Sequence, residues 1–593
     1  MGMADERRTR TLYWLALLAI LLAAAFLRFY HLDASSLWSD EGNTWAMLGR
    51  TYGEIAQAAA ADIHPPGYYW LLKFWSSVFG ASAWAMRSFS AVAGVLLVLI
   101  VERIGRLLVA EWAARLWLPL LAALITAVNP LLVYYSQEAR MYMLLSLAGA
   151  GLFWSMLAGR LWAFPKDASL GRTLPGGASW KGLFLAEWPA YAGYVLFAVL
   201  GLWTHYSFAI VLAAANLAWV VRWTVLRFVP PRSPLASWRS LAIWIGLNVV
   251  ALLAFLPWLP TAMSQVSNWP KGGVAVSWAT GMEDTLRTLL FGPIHGTPDP
   301  LSPWLGLGAL VAVLGIAGLY KERRQVERGV WLAATGVLPL VLWLGLPVGL
   351  MAGLGLFTDA FLKFLITAAP AWCLLVAAVP LLAQQRVGRS ALGVGVAVLV
   401  VGMAGMVLPG YYQDAYARDN YKGIADFIAG RGDPARDLVI LDAPGQQEVW
   451  RYYDPGLPVL ALPATRPPAG EEVAADLASA TAGRRNLYAL FWATDEADPQ
   501  RLVETWLDRN AFKALDVWQG NVRLATYALA SGLEPVALEP VHLGDAVVLS
   551  GQAQPAEQRE GQHVAAGDAV LVQLRWEVLQ DIAQRYKVSV QLL

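Results

Sequence analysis

One feature limits what this chain can become more than any other. A run of roughly twenty apolar residues recurs about eleven times along it. Crossing ~30 Å of hydrocarbon takes ~20 helical residues. Segments of that kind lie near 11–30, 84–101, 113–129, 141–158, 189–204, 207–226, 240–260, 303–319, 330–350, 362–382 and 390–409. The remaining composition agrees. Of the 593 residues 57% are hydrophobic and 15% charged, against about a quarter charged in soluble domains. The 29 Trp and 21 Tyr suit a chain that crosses many membrane interfaces, where amphipathic rings collect.

The same numbers exclude whole classes of function. A net charge of +1 and the lack of a basic run argue against a polyanionic partner, nucleic acid included. Cys373 is the only cysteine and lies in an apolar segment, which rules out disulfides and cysteine-rich metal sites. Arg7, Arg8 and Arg10 precede the first apolar run as in a signal peptide, but no small-residue cleavage motif follows. The expectation is a retained first span.

Loop charge predicts the orientation. With a cytoplasmic N-terminus, the inside loops carry Arg103, Arg106 and Arg115; Arg160, Lys166, Arg172 and Lys181; Arg222, Arg227, Arg232 and Arg239; Lys321, Arg323, Arg324 and Arg328; and Arg386 with Arg389. The outer loops are long yet poor in cations, with Arg50 and Lys73 in 31–83 and Lys271 and Arg287 in 261–302. Everything after Pro409 then falls outside the cell membrane. That tail changes character. Residues 410–532 read as an α/β region, with short strands at Asp437–Leu441, Val459–Leu462 and Asn486–Trp492 among helical stretches at 421–431, 471–480 and 499–509. Residues 533–593 read as strand–turn–strand, with strands at Val547–Leu549, Val570–Trp576 and Lys587–Leu593, and suggest an incomplete β-sandwich-like segment. The expected architecture is an α-helical polytopic membrane protein over 1–409, followed by these two extracytoplasmic regions.

Three outer segments carry chemistry. Leu37-Trp38-Ser39-Asp40-Glu41 follows the first span by about ten residues and sets two adjacent carboxylates beside a lipid surface. Its structural alternative is a helix capped by Ser39, with both acids in the positive first turn. Asp62-Ile63-His64-Pro65-Pro66-Gly67-Tyr68-Tyr69 holds His64 on a backbone stiffened by two prolines. The alternative there is an ordinary helix start. Asn129-Pro130, then Tyr134-Tyr135-Ser136-Gln137-Glu138-Ala139-Arg140-Met141-Tyr142, places an ionisable pair at the lip of a span. The planar fork of Arg140 suits a phosphate, and an interfacial anchor is the alternative. His205, Asp359, Lys363, Glu283, Asp284 and His295 face the same side, and Arg87 just inside the second span calls for a partner such as Asp40 or Glu41. No comparable set occurs in the cytoplasmic loops.

In order and spacing, Trp38-Ser39-Asp40-Glu41, His64-Pro65-Pro66 with Tyr68-Tyr69, and Tyr135 through Tyr142 resemble the GT-C superfamily of membrane glycosyltransferases. Within it the chain is similar to the bacterial branch related to protein O-mannosyltransferases and the lipid A aminoarabinose transferase. The resemblance spans roughly residues 10–465. It implies Asp40 as catalytic base, Glu41 as its support or acceptor contact, and Glu138 as a further acidic site residue. It also implies His64 and Arg140 at the donor phosphate, with Lys363, in Lys363-Phe364 before Pro370, joining them. Tyr68, Tyr135 and His205 would line the acceptor or donor pocket. Gly42-Asn43-Thr44 departs from the typical continuation after the acidic pair.

The activity implied is transfer of a hexosyl or pentosyl group from a polyprenyl-phosphate donor to a hydroxyl of a lipid, glycan or protein, with inversion. Such chemistry asks for alignment, a carboxylate to take the hydroxyl proton and cations for the departing phosphate. No cofactor is required by the residues. A divalent metal at Glu138 and its neighbours is an option, without ligand spacing that calls for one. The rival readings are a transporter or flippase, which would want ionisable groups or helix breaks deep in several spans, and a non-catalytic assembly protein displaying the tail.

Overall fold

The computed structural model describes residues 3–109, 114–159, 162, 180–228, 236–268, 276–293, 302–324, 337–357, 359–413, 419–465, 468–529, 533–555 and 572–581. The expected final strand at 587–593, His295 and the start of the 330–350 span lie outside them. The chain divides into two compact units, one of Met1–Ala34 with Thr44–Tyr416, the other of Ser35–Asn43 with Ala417–Leu593.

The first unit is a helical membrane body. Among the described residues six helices are long and apolar enough to cross a membrane: Arg7–Phe29, Ala83–Leu108, Phe208–Phe228, Trp238–Ser267, Val337–Leu354 and Val387–Tyr411. A seventh is a bent pair, Trp117–Val128 with Pro130–Ser136, meeting at 56°. The apolar runs near 141–158, 303–319 and 362–382 appear as shorter apolar helices, Tyr142–Ala158, Gly306–Lys321 and Ala369–Leu382. Among the described residues the body is therefore mostly helical, with six to seven helices long and apolar enough to span.

The bend has a local cause that the rest of the fold accommodates. Pro130 has no N–H to offer the carbonyl of Thr126, four residues back. Asn129 caps the new helix, its Oδ1 accepting from Leu132 N at 3.1 Å. The carbonyls left over at the break are satisfied by Arg28, fully buried near the end of the first helix. Its Nη2 donates to Thr126 O at 3.1 Å and its Nη1 to Ala127 O at 2.9 Å. Its Nε donates to Ser136 Oγ at 3.1 Å. Gly94 makes this possible, because a Cβ there would overlap both Ser136 Oγ and Arg28 Nε. A second buried charge, Glu102, accepts from Tyr13 and pairs with Arg106 at the other end of helix Ala83–Leu108.

The second unit contains two sheets. In the five-stranded sheet, β1 (Leu438–Leu441), β2 (Val459–Ala461), β3 (Asn486–Phe491), β4 (Phe512–Gln519) and β5 (Val522–Ala528) run in the order β2-β1-β3-β5-β4. β1 is parallel to β2 and β3, whereas β5 is antiparallel to β3 and β4. All four residues of β1 are buried, as expected of a central parallel strand. Ile440, Leu487, Ala489, Val473, Leu477, Val503 and Leu507 form its core with helices Gly470–Thr481 and Leu502–Asn510. The other sheet is antiparallel, with β8 (Val547–Pro555) pairing β6 (Leu533–Val536), β7 (Val541–Leu543) and β9 (Gln573–Val578).

Candidate active site

In the membrane unit, one cluster gathers residues from four distant parts of the chain. Thr51 and Glu54 form a capping box that starts helix Tyr52–Ala61, which ends just before Asp62. The double proline then carries His64 into helix Gly67–Phe79. Gly67 allows a close approach, since a Cβ there would lie 2.5 Å from the Trp203 carbonyl oxygen at the end of helix Trp180–Thr204. That contact brings the His64 loop beside His205. The two imidazoles stand 5.2 Å apart.

The third contribution is the turn after the bent helix. Arg140 directs Nη2 to His64 Nε2 at 3.4 Å and donates from Nη1 to Thr44 Oγ1 at 3.3 Å. Gln137 anchors the turn through its amide, which donates to Tyr30 O at 2.8 Å and Arg28 O at 3.2 Å. Glu138 is buried in the same turn. The fourth contribution is the 3-10 segment Lys363–Thr367. Lys363 Nζ lies 5.5 Å from the Tyr142 ring and 5.8 Å from that of Phe364. Phe364 in turn stands 4.7 Å from His205. Tyr135 meets Tyr142 edge-on at 5.0 Å and so borders the same region. Tyr68 is fully buried with its ring toward Tyr69 and Phe89.

The cluster combines two cations, Arg140 and Lys363, with two imidazoles and the buried Glu138. Burial holds the His64 imidazole well below its ordinary range, and His205, Arg140 and Lys363 push it the same way. His205 is pushed down to about 3, first by burial and then by Lys363 and Arg140. Both rings are thus neutral at neutral pH, and Ser207 N donating to His205 Nδ1 at 3.1 Å leaves the proton on Nε2.

Asp40 and Glu41 belong to the second unit. Helix Ser39–Leu48 carries both acids in its first turn. The expectation that Ser39 caps a helix starting at Asp40 needs correction. Ser39 stands inside the helix, and its hydroxyl donates to Gly445 O at 3.0 Å. Glu41 is fully buried and Asp40 half-buried. Arg87 donates to Leu32 O at 3.0 Å. The side chain of Asp359 is outside the described residues.

Several residues of the site carried no sequence signal. Gln265 holds the His64 loop, its Nε2 donating to Ala59 O at 2.7 Å and Asp62 O at 2.5 Å while Tyr206 donates to its Oε1. Thr44 and Arg28 were equally unannounced, Arg28 because a cation ending an apolar run reads as a snorkelling anchor. Among the described residues, no group of three or more His, Cys, Asp or Glu could hold a metal ion.

The model of the dolichyl-phosphate-mannose-protein mannosyltransferase family matches residues 63–162, which include His64, Tyr68, Tyr135, Glu138 and Arg140. Comparison with curated protein sequences gives no match. Among solved structures, ArnT from Cupriavidus metallidurans in the apo state is 15% identical over 87% of this chain and 98% of its own, with a TM-score of 0.50. The same protein bound to undecaprenyl phosphate gives 15%, 88%, 98% and 0.49. The oligosaccharyltransferase AglB from Archaeoglobus fulgidus, in complex with an inhibitory peptide and a dolichol-phosphate, is 13% identical over 88% of this chain and 74% of its own, with a TM-score of 0.47. The family model thus spans the His64 and Arg140 segments, and the likeness to ArnT along most of both chains is one of fold.

Proposed function

We propose that the protein transfers a hexosyl or pentosyl group from a polyprenyl-phosphate donor to an acceptor hydroxyl at the outer face of the cell membrane, inverting the anomeric centre. What carries this reading is the cluster of Arg140, Lys363, His64 and His205. Arg140 and Lys363 stand with two imidazoles that stay neutral, so a lipid phosphate would meet a planar fork, an ammonium and imidazole N–H donors. The matched family model, whose description specifies a dolichyl-phosphate sugar donor, supports the same donor class. The loop-charge pattern supports an external site and an external C-terminal region.

Asp40 is the base in this reading. It stands half-buried in the first turn of helix Ser39–Leu48, beside the fully buried Glu41. The carboxylate takes the proton of the acceptor hydroxyl, whose oxygen attacks the anomeric carbon as the bond to the phosphate oxygen breaks. Polyprenyl phosphate leaves with the electron pair, and Arg140, Lys363 and His64 stabilise it. Glu41 orients Asp40 or the acceptor, Glu138 completes the acidic wall, and Tyr68, Tyr135 and His205 shape the pocket. The acceptor is a lipid, glycan or protein.

The test is turnover of purified protein on a panel of radiolabelled polyprenyl-phosphate sugars, alongside Asp40→Asn. The variant should bind donor normally yet turn over ~10²–10⁴-fold more slowly, the usual worth of a positioned base. Transfer at the wild-type rate by Asp40→Asn would remove Asp40 from the chemistry.

A further inference from the structure

Gly42 breaks the expected sequence after the acidic pair, and its surroundings explain why. A Cβ at Gly42 would overlap the backbone N and Cα of Val449 in helix Gln447–Tyr453. Because the obstacle is backbone, only a displacement of one helix could relieve it. The same helix ends on Tyr453, whose hydroxyl accepts from Leu37 N at 2.7 Å and lies 3.3 Å from Ser36 Oγ. Ser36 Oγ also accepts from Lys422 N at 3.1 Å. At the other end of the helix, Gly445 O accepts from Ser39 Oγ.

This grip is continuous with the core of the five-stranded sheet. Gln446, buried, donates from Nε2 to Leu490 O of β3 at 3.2 Å and accepts from Tyr421 Oη at 3.0 Å. Val449 and Trp450 are buried too, so the helix is fixed on its inner side. Residues 36–42, which contain the acidic pair, are therefore seated on helix Gln447–Tyr453 and, through it, on the five-stranded sheet.

We propose that the C-terminal unit is a positioning device for the acidic pair. Gly42, Tyr453 and the turn Pro444–Gln446 set the height and rotation of the first turn of helix Ser39–Leu48, and with it the direction of the Asp40 carboxylate. The inference rests on the reading of Asp40 as base. A base misplaced by about 1 Å can cost on the order of 10²-fold in rate, so a hydroxyl and a missing Cβ outside the acidic pair acquire kinetic weight.

The experiment compares Gly42→Ala, Tyr453→Phe, Asp40→Asn and the double variant Tyr453→Phe/Asp40→Asn in the full-length protein. Tyr453→Phe removes one hydroxyl and keeps the ring, so it tests the idea even if Gly42→Ala fails to fold. Expected for Tyr453→Phe, and for Gly42→Ala where it folds, is a fall in kcat of roughly ten- to hundredfold with the donor KM unchanged. In the Asp40→Asn background the Tyr453→Phe change should have almost no further effect, because the group it aims is gone. Wild-type kcat in Tyr453→Phe, with Asp40→Asn inactive, overturns the positioning role and leaves the base intact. A loss from Tyr453→Phe that persists undiminished in the Asp40→Asn background, or one that appears only in donor KM, also overturns it. Full activity of Asp40→Asn instead removes the base itself, and the inference with it.

Discussion

Replacing Arg28 by Met keeps the apolar stem and deletes the donors at the helix break. Arg28 supplies both carbonyls stranded there, Thr126 O and Ala127 O, and also Ser136 Oγ and Ala24 O. Ser136 has a second partner in Leu132 O, so its loss weighs little. The two carbonyls do not, because Pro130 and the 56° bend withdraw the N–H groups that would serve them. An orphaned buried carbonyl costs about 1–3 kcal/mol, giving ~2–6 kcal/mol for two. Relief of the buried guanidinium's desolvation offsets part of that. A net loss of ~2–4 kcal/mol is expected, read as a lower midpoint in thermal unfolding in detergent. Arg28→Lys should fall between, a single ammonium being unable to span both carbonyls and Ser136. Donor KM should rise as well, because Gln137, hydrogen-bonded to the Arg28 and Tyr30 carbonyls, leads directly into Glu138 and Arg140. An Arg28→Met protein with wild-type midpoint and donor kinetics would show that the break needs no such donor, and the reasoning would fail.

Arg140→Ala should weaken donor affinity by roughly 10–100-fold, the worth of a charge-assisted hydrogen bond of ~1.5–3 kcal/mol; Arg140→Lys should recover only part. Because Arg140 Nη2 and His64 Nε2 stand 3.4 Å apart, double Ala substitution should be non-additive, and a normal donor KM with lowered stability would reduce Arg140 to an anchor. In the second unit, burial first and then the Asp498 and Glu504 charges push the Asp442 carboxyl up to about 8, against a Thr494 hydrogen bond that lowers it. An acid whose pKa is raised by folding holds its proton more tightly when folded, so stability falls as pH rises from its unfolded value of 3.8 to about 8. The slope from this group is up to ~1.4 kcal/mol per pH unit. Hydrogen exchange in β1 and β3, corrected for intrinsic rates, should accelerate over that window in the wild type and lose the dependence in Asp442→Asn; an identical dependence in both proteins refutes the assignment.

Composition and apolar periodicity were enough to mark a mostly helical membrane body, because a lipid interior admits helices and leaves the chain little choice. They also marked β1, β2 and β3 to within a residue, since β1 and β3 are short, apolar and buried, whereas β4 and β5 went unmarked. His64, Arg140, His205 and Lys363 were legible as charged or titratable groups where charge is expensive. Apolar length alone did not reveal that the 113–136 region is one bent span, nor that Arg28 is the donor that sustains the bend. Hydrogen-bond satisfaction at a helix break is a matter of which side chain is near, and nearness across a hundred residues is set by packing. Gln265, Thr44, Gly42 and Tyr453 belong to the same class. Each is chemically ordinary, and each matters only because the fold brings it against a carbonyl, a guanidinium or a neighbouring helix backbone. The sequence determined which groups are costly to bury, while tertiary structure alone decided what stands beside them.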